Sequence, residues 1–369
     1  MKSLHLLCIS LIWGILFGLL ACQQPPQASE RPHKTSVIAY YAGDPHAVDQ
    51  YAVGQLDQII HCFLHLKGNK LALDEANDSI GIANLVALKG RNPELKILLS
   101  LGGWGGCETC SDVFSEASAR EEFAQSVLDL LLKFEADGID LDWEYPGISG
   151  YPGHAYKAED KQNFTYLVQE LRQTLGESYE ISFAAAGFDS FFVKSIEWDK
   201  VMPLLNRVNI MTYDLVSGFS KITGHHSPLY STEEQVRSTH RAVSFLDSLG
   251  VPREQMVIGG AFYARVWENV PNINNGLYQP GTFKQTVRYS SLNDYFAANP
   301  GFELYWDESA QAPYAYNADS MWFATFDDTR SIALKTQYAR KEQLGGIMFW
   351  QLATDTPANG LLEAIHQAK

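Results

Sequence analysis

The chain has 369 residues, 46% of them hydrophobic, and a formal net charge of −15. That apolar content can bury one barrel-sized core with an insertion, which excludes a disordered chain or a miniature disulfide scaffold. The acid excess argues against nucleic acid or an anionic membrane surface as the partner, and a neutral polymer such as a polysaccharide is compatible with it.

Residues 1–21 have the pattern of an export signal: Lys2, an apolar run from Leu6 to Leu20, then Ala21. Leu19-Leu20-Ala21-Cys22 resembles a bacterial lipobox, which implies lipidation at Cys22 and an exported lipoprotein of the cell envelope or surface; an ordinary secretory signal is the alternative. Residues 22–34, rich in Gln, Pro and polar side chains, are expected to be a tether, with the folded body starting at Thr35. Cys62 lies in an apolar run as a buried thiol. Cys107 and Cys110, with two residues between them in an exported chain, are expected to form a short loop disulfide, since neither a thioredoxin-like context nor a second ligand pair accompanies them.

Apolar, strand-like runs then alternate with helical patterns. Eight strands are expected at 36–41, 58–66, 95–101, 138–143, 179–186, 206–213, 256–262 and 345–352, and the clearest helices at 119–135, 160–175 and 232–249. Phe123, Val127, Leu130, Leu131 and Phe134 keep one stripe of the first helix, and Gly138 and Gly250 fall where such helices stop. Eight such alternations predict an α/β protein of the (β/α)8 TIM-barrel class, built from residues 35–263 and 326–369, with catalytic groups at the C-terminal strand ends. Residues 264–325 break the pattern. They hold many aromatics and no helix of barrel length, and are expected to form a small α+β insertion between the seventh strand and its helix.

The chemistry concentrates on the fourth strand, Asp137-Gly-Ile-Asp-Leu-Asp-Trp-Glu144. Side chains alternate faces along a strand, so Asp140, Asp142 and Glu144 point one way while Ile139, Leu141 and Trp143 point the other. Neighbouring carboxylates resist joint ionisation, so some of them hold protons near neutral pH. A protonated acid beside ionised neighbours is what a general acid needs. A calcium loop does not set Ile, Leu and Trp between its acids.

That stretch resembles the signature of family 18 glycoside hydrolases, the chitinase family. Further stretches resemble the family in the same order: Ser100-Leu-Gly-Gly-Trp104, Met211-Thr-Tyr-Asp214, Gly224-His-His-Ser-Pro-Leu-Tyr230, Phe262-Tyr-Ala-Arg265, Trp306-Asp-Glu308, Phe326-Asp-Asp328 with Ser331, and Gly345-Gly-Ile-Met-Phe-Trp350. Departures are Ala264 for the usual Gly and Ile60-His-Cys-Phe-Leu64 on the second strand. The insertion resembles one that forms a groove wall in a chitinase subgroup.

The resemblance implies catalysis assisted by the substrate's own acetamido group, an exception to the usual two-carboxylate scheme. Glu144 would be acid and then base, Asp142 would orient the acetamido group, Asp140 would tune Asp142, and Tyr213 would hold the acetamido oxygen. Trp350 would floor the sugar being cleaved, Trp104 the sugar beyond the broken bond, and Asp214 would bind a hydroxyl or the acetamido group. Met211, Tyr40, Phe63, Tyr263, Arg265 and Trp306 complete the implied substrate-binding set. His225 and His226, adjacent on an extended segment, point apart and do not suggest a joint metal site; no cofactor or metal is implied.

The expectation is a chitinase acting on β-1,4-linked N-acetylglucosamine, in chitin or chito-oligosaccharides. It would work as a monomer, with no nucleic acid and no membrane contact beyond the lipid. An endo-β-N-acetylglucosaminidase on N-glycan cores is one alternative. A sugar-binding lectin without activity is the other.

Overall fold

The structure is a computed structural model that describes residues 34–74 and 76–369. The expected signal, most of the tether and Cys22 lie outside the described residues. The strands, in chain order, begin with β1 Ser36–Tyr41, β2 Gln58–Lys67, β3 Lys70–Ala72, β4 Lys96–Gly102 and β5 Gly138–Asp142. They continue with β6 Glu180–Ala186, β7 Arg207–Met211, β8 Met256–Ala261 and β9 Tyr263–Glu268. The last are β10 Thr282–Arg288, β11 Phe302–Asp307, β12 Ala312–Asn317, β13 Trp322–Thr325 and β14 Gly346–Trp350.

Eight of these close a parallel barrel: β1, β2, β4, β5, β6, β7, β8 and β14, with β14 pairing back onto β1. Strand alternation builds two cores. Val37, Ala39, Ile139 and Leu141 point outward into the sleeve between strands and helices, while Ile38, Tyr40, Ile60, Leu98, Val257 and Met348 fill the interior. Burial of the sleeve is the main favourable term for folding, as apolar area leaves water. At the N-terminal mouth Glu180 accepts from both Lys96 and Arg207, and Arg207 also bonds Gln58 (2.5 Å), so polar groups plug that end.

The helix Ala117–Phe134 packs Phe123, Ala124, Val127 and Leu131 on its buried stripe and stops at Glu135, which takes the left-handed conformation (φ 57°). The helix expected at 232–249 is corrected to Thr239–Ser248. Its first turns are lost to side chains that bond the backbone instead, which is how such residues compete with helix formation. Thr232 Oγ1 accepts from Gln235 N (3.0 Å), Ser231 Oγ donates to Val236 O (2.6 Å), and Ser238 caps the helix by accepting from Arg241 N (3.1 Å).

Between β8 and the helix Thr329–Lys341 the chain forms a second, antiparallel sheet in the order β10-β9-β13-β12-β11. One face packs Ala264, Val266, Ala315 and Phe326, the other Trp267, Tyr314, Tyr316 and Phe323. Most of the segment's aromatics that are buried serve these two small cores.

The return from that sheet to the barrel runs through one buried ion pair. Lys335 and Asp327 are both fully buried, with Nζ 2.6 Å from each carboxylate oxygen. Asp327 also accepts from Ser331 Oγ (2.7 Å) and Ala261 N (3.0 Å), and Lys335 donates to Ser227 Oγ (2.6 Å). The pair joins the end of β8, the loop after β7, the end of the sheet and the following helix.

Candidate active site

The carboxylate row stands where strand alternation places it, at the C-terminal mouth of β5. Asp140 lies deepest and is fully buried. Its register partners are Ser100 on β4 and Ser182 on β6. Four groups donate to it: Ser182 Oγ (2.6 Å), Tyr40 Oη (3.1 Å), Asn209 Nδ2 (3.1 Å) and Ser100 Oγ (3.2 Å). Burial pushes its carboxyl above the ordinary range, and those four donors work against the rise.

Asp142 is one pleat higher. Burial, then the charges of Glu144 and Asp140, push it well up. Its Oδ1 is buried and bonds no other group of the protein. A buried acceptor without a partner is costly, so its presence beside two other acids marks a place built for a ligand's polar group. Glu144 follows at the rim, partly accessible to solvent. Burial, with a further contribution from Asp214, pushes it up to about 7, against the opposing effect of the Tyr145 hydroxyl. A carboxyl poised there can give a proton and take one back near neutral pH.

Around the row the structure gathers most of the residues expected from the sequence. Trp350, at the end of β14, stacks on Phe63 (5.5 Å, 16° between planes) and meets Tyr40 (6.1 Å). Cis peptide bonds follow Cys62, Glu144 and Trp350. Tyr213 stands edge-on to Tyr263 (6.2 Å) and, with Met211, packs against the interior cluster. Asp214 is clamped by Arg265, Nε to Oδ1 at 2.8 Å with a second bond from Nη2 to Oδ2. Burial works to raise Asp214, but His226 and the Arg265 guanidinium outweigh it and hold the carboxyl below the usual range. This aspartate is therefore a fixed anion, while burial pushes Asp142 and Glu144 the other way.

The two adjacent histidines separate as expected. His225 Nε2 meets Asp307 (3.0 Å), while His226 Nδ1 faces Asp214 at 3.7 Å. Cys107 and Cys110 form a disulfide, and Cys62 is a buried free thiol. Among the described residues no group of three His, Cys, Asp or Glu is placed to hold a metal ion.

Two expected residues sit at the margin. Trp104 is exposed at the rim, its ring 6.4 Å from that of Tyr145, next to Glu144. Trp306 lies under the Arg330 guanidinium (3.7 Å), and no ring contact or hydrogen bond ties it to the carboxylate row. Other residues were not singled out from the sequence. Ser100, Ser182 and Asn209 cradle Asp140, Tyr145 bears on Glu144, and exposed Phe219 faces Trp104 at 6.1 Å. Asn209 had a partial signal, standing two residues before Met211 and so on the same face of β7, but Ser100 and Ser182 meet Asp140 only through the register between strands.

Comparison with known proteins adds an independent line. The model of the family described as "Glycosyl hydrolases family 18" matches residues 36–355. The chain is 36% identical over 299 residues to "Chitinase A1" of Niallia circulans, covering 74% of this chain and 42% of that one. It is 30% identical over 353 residues to the "Oviduct-specific glycoprotein" of Papio anubis, covering 91% of this chain and 54% of that one. The chain thus spans about half the length of these relatives. A solved family 18 N-acetylglucosaminidase from Paenibacillus barengoltzii superposes with a TM-score of 0.83 at 33% identity, over 91% of this chain and all of that one.

Proposed function

The chain belongs to family 18 of the glycosyl hydrolases, and from that membership we propose that it is a chitinase-type hydrolase of β-1,4-linked N-acetylglucosamine, working with retention and with help from the substrate's acetamido group. The observation that carries the reading is Asp142: a buried carboxyl oxygen without a protein partner, one pleat below an acid poised near neutrality. Relatives with the same fold include one named a glycoprotein rather than an enzyme, so the choice between cutting and binding rests on Glu144. A sugar-binding protein without chemistry has no use for a carboxyl held at about 7.

In the proposed sequence the scissile sugar lies on Trp350, its C–H face against the indole. The acetamido oxygen attacks its own anomeric carbon as the bond to the leaving oxygen breaks, and Glu144 delivers its proton to that oxygen. Asp142 accepts the acetamido N–H, which fixes the group in line and offsets the positive charge of the cyclic oxazolinium. Asp140, held by its four donors, tunes Asp142 through its charge. Water then gives a proton to the Glu144 carboxylate and adds at the anomeric carbon from the face the leaving group left, as the bond from that carbon to the acetamido oxygen breaks and the acetamido group is regenerated. The acid is restored.

Asp142→Asn is expected to lower kcat by about 10²-fold, the usual size of losing one preorganised charge at a reacting centre. N-acetylated chito-oligosaccharides should be cleaved while their fully deacetylated counterparts resist. Efficient cleavage of cellulose oligomers contradicts acetamido assistance, and release of glycan from an N-glycopeptide in preference to chitohexaose favours the endo-β-N-acetylglucosaminidase reading.

The rate should also depend on pH in a definite direction. Glu144 must carry its proton for the first step and is held up to about 7. kcat/KM on an aryl chitobioside should fall about tenfold per pH unit above that value. A rate that keeps rising to pH 9 assigns the acid role elsewhere. For the residues before the barrel, the proposal remains an exported chain lipidated at Cys22.

A further inference from the structure

Asp160 is a fully buried acid that the proposed chemistry does not use. It opens the helix Asp160–Leu175. Its Oδ1 accepts from Ser111 Oγ (2.8 Å), and its Oδ2 from the backbone N–H groups of Lys157 (2.7 Å) and Gly147 (3.4 Å). One carboxyl thus ties together the loop after β4, the turn that follows Glu144 and the start of the next helix.

The Ser111 end of this tie is a fixed body. Ser111 lies in the short helix Cys110–Val113, whose first residue is joined by the disulfide to Cys107. A Cβ at Gly102 would stand 3.3 Å from the Cys107 sulfur and 2.3 Å from the carbonyl oxygen of Asp142, so the disulfide loop lies directly on β5. Gly103 N donates to that same oxygen (2.9 Å). Phe114, next after the short helix, packs its ring against that of Trp143 at 5.6 Å. The body therefore already holds the strand on the residues just before Glu144.

The Gly147 end belongs to the chain that leaves the acid. A Cβ at Gly150 would stand 2.1 Å from Glu144 O and 2.7 Å from Tyr145 N, so the loop folds back onto the peptide between those two residues. Asp160 pins the turn in between. Lys157 and Asp112 add a second tie between the same segments (2.5 Å), but it is exposed and contributes little. Loss of the Asp160 carboxyl leaves the buried Ser111 hydroxyl without its acceptor and frees the turn.

We infer that Asp160 is a positioning residue for the general acid: it carries the rigidity of the disulfide-closed loop to the turn after Glu144 and so fixes where that carboxyl meets the leaving oxygen. The inference rests on the hydrolase reading, in which Glu144 is the acid. Placement of this kind weighs heavily on rate, since an error of about 1 Å can cost about 10²-fold.

The test compares Asp160→Ala, Asp160→Asn and Ser111→Ala. On an aryl chitobioside, kcat should fall about 10–50-fold in Asp160→Ala and about 3–5-fold in Ser111→Ala. Asp160→Asn can keep all three links, its oxygen toward the two N–H groups and its amide donating to the Ser111 hydroxyl, and should stay within about twofold of the parent. With each change placed in Glu144→Gln protein, the affinity for chitotriose should stay within about twofold, because the tie sets the acid and not the sugar. Glu144 is faced by Asp142, Asp214, Tyr145 and Tyr213, and burial is the main cause of its rise to about 7. A freed turn admits water to it, so the basic limb of kcat/KM should move to lower pH in Asp160→Ala. A merely structural role lowers the urea midpoint while kcat per folded molecule and the basic limb stay where they were; that result overturns the inference and leaves the hydrolase reading standing. If Asp160→Ala does not fold, Ser111→Ala decides, and a kcat equal to the parent's overturns the inference. Parent protein that cleaves neither the aryl chitobioside nor chitohexaose overturns both.

Discussion

Glu144→Gln is expected to lower kcat by about 10³-fold while leaving the affinity for chito-oligosaccharides within about twofold, because general acid–base groups contribute roughly 10²–10⁴ to a rate. Glutamine keeps the size and a polar end but cannot deliver a proton to the leaving oxygen. The substitution should also stabilise the fold. Glu144 is raised from 4.5 to about 7 in the native state. A group so raised favours the fold below its unfolded value, and that advantage is lost as pH rises through the folded value. At pH 8 the native protein therefore carries a partly buried charge that Gln removes, a gain on the order of 1–3 kcal/mol. Below about pH 5 the two proteins should converge. Thermal melts at pH 5 and pH 8 beside single-turnover rates separate the two effects. A variant that keeps its turnover removes Glu144 from the role; one that loses sugar binding as well has suffered a change of structure.

The second large effect lies away from the chemistry. Asp327→Ala should cost about 3–5 kcal/mol, since it strands the Lys335 ammonium in a fully buried position. It also removes the acceptor for Ala261 N and Ser331 Oγ. The readout is a lower urea midpoint at unchanged slope. Replacing both partners, Asp327→Leu with Lys335→Met, should recover at least half of the loss, because buried ion pairs exchanged whole for apolar groups are often close to neutral. If the single change costs less than 1 kcal/mol, the ion pair does not hold the second sheet to the barrel.

What could be read from the sequence follows the range of the physics. Alternation along one strand is a local rule, so Asp140, Asp142 and Glu144 on one face, and Ile139, Leu141 and Trp143 on the other, follow from the residues alone. The barrel followed for the same reason: eight apolar runs with helices between them leave few closed arrangements. The cradle of Asp140 did not, because Ser100, Ser182 and Asn209 come from three other strands and their meeting depends on register. The helix start at 232 failed because periodicity does not reveal that Ser231, Thr232 and Gln235 spend their hydrogen bonds on a loop. The Asp214–Arg265 clamp needed two distant segments to converge. Trp306 shows the opposite case, a motif residue whose contact is to Arg330.

The clamp has a practical consequence for anyone who would re-engineer specificity by swapping modules. Arg265 belongs to the first strand of the second sheet, yet it fixes an aspartate beside the carboxylate row of the barrel. A chimaera that imports a foreign insertion without an arginine at this position frees that anion to rotate and regain a proton. Such a graft would disturb the carboxylate row from a distance while every residue of β5 stayed native.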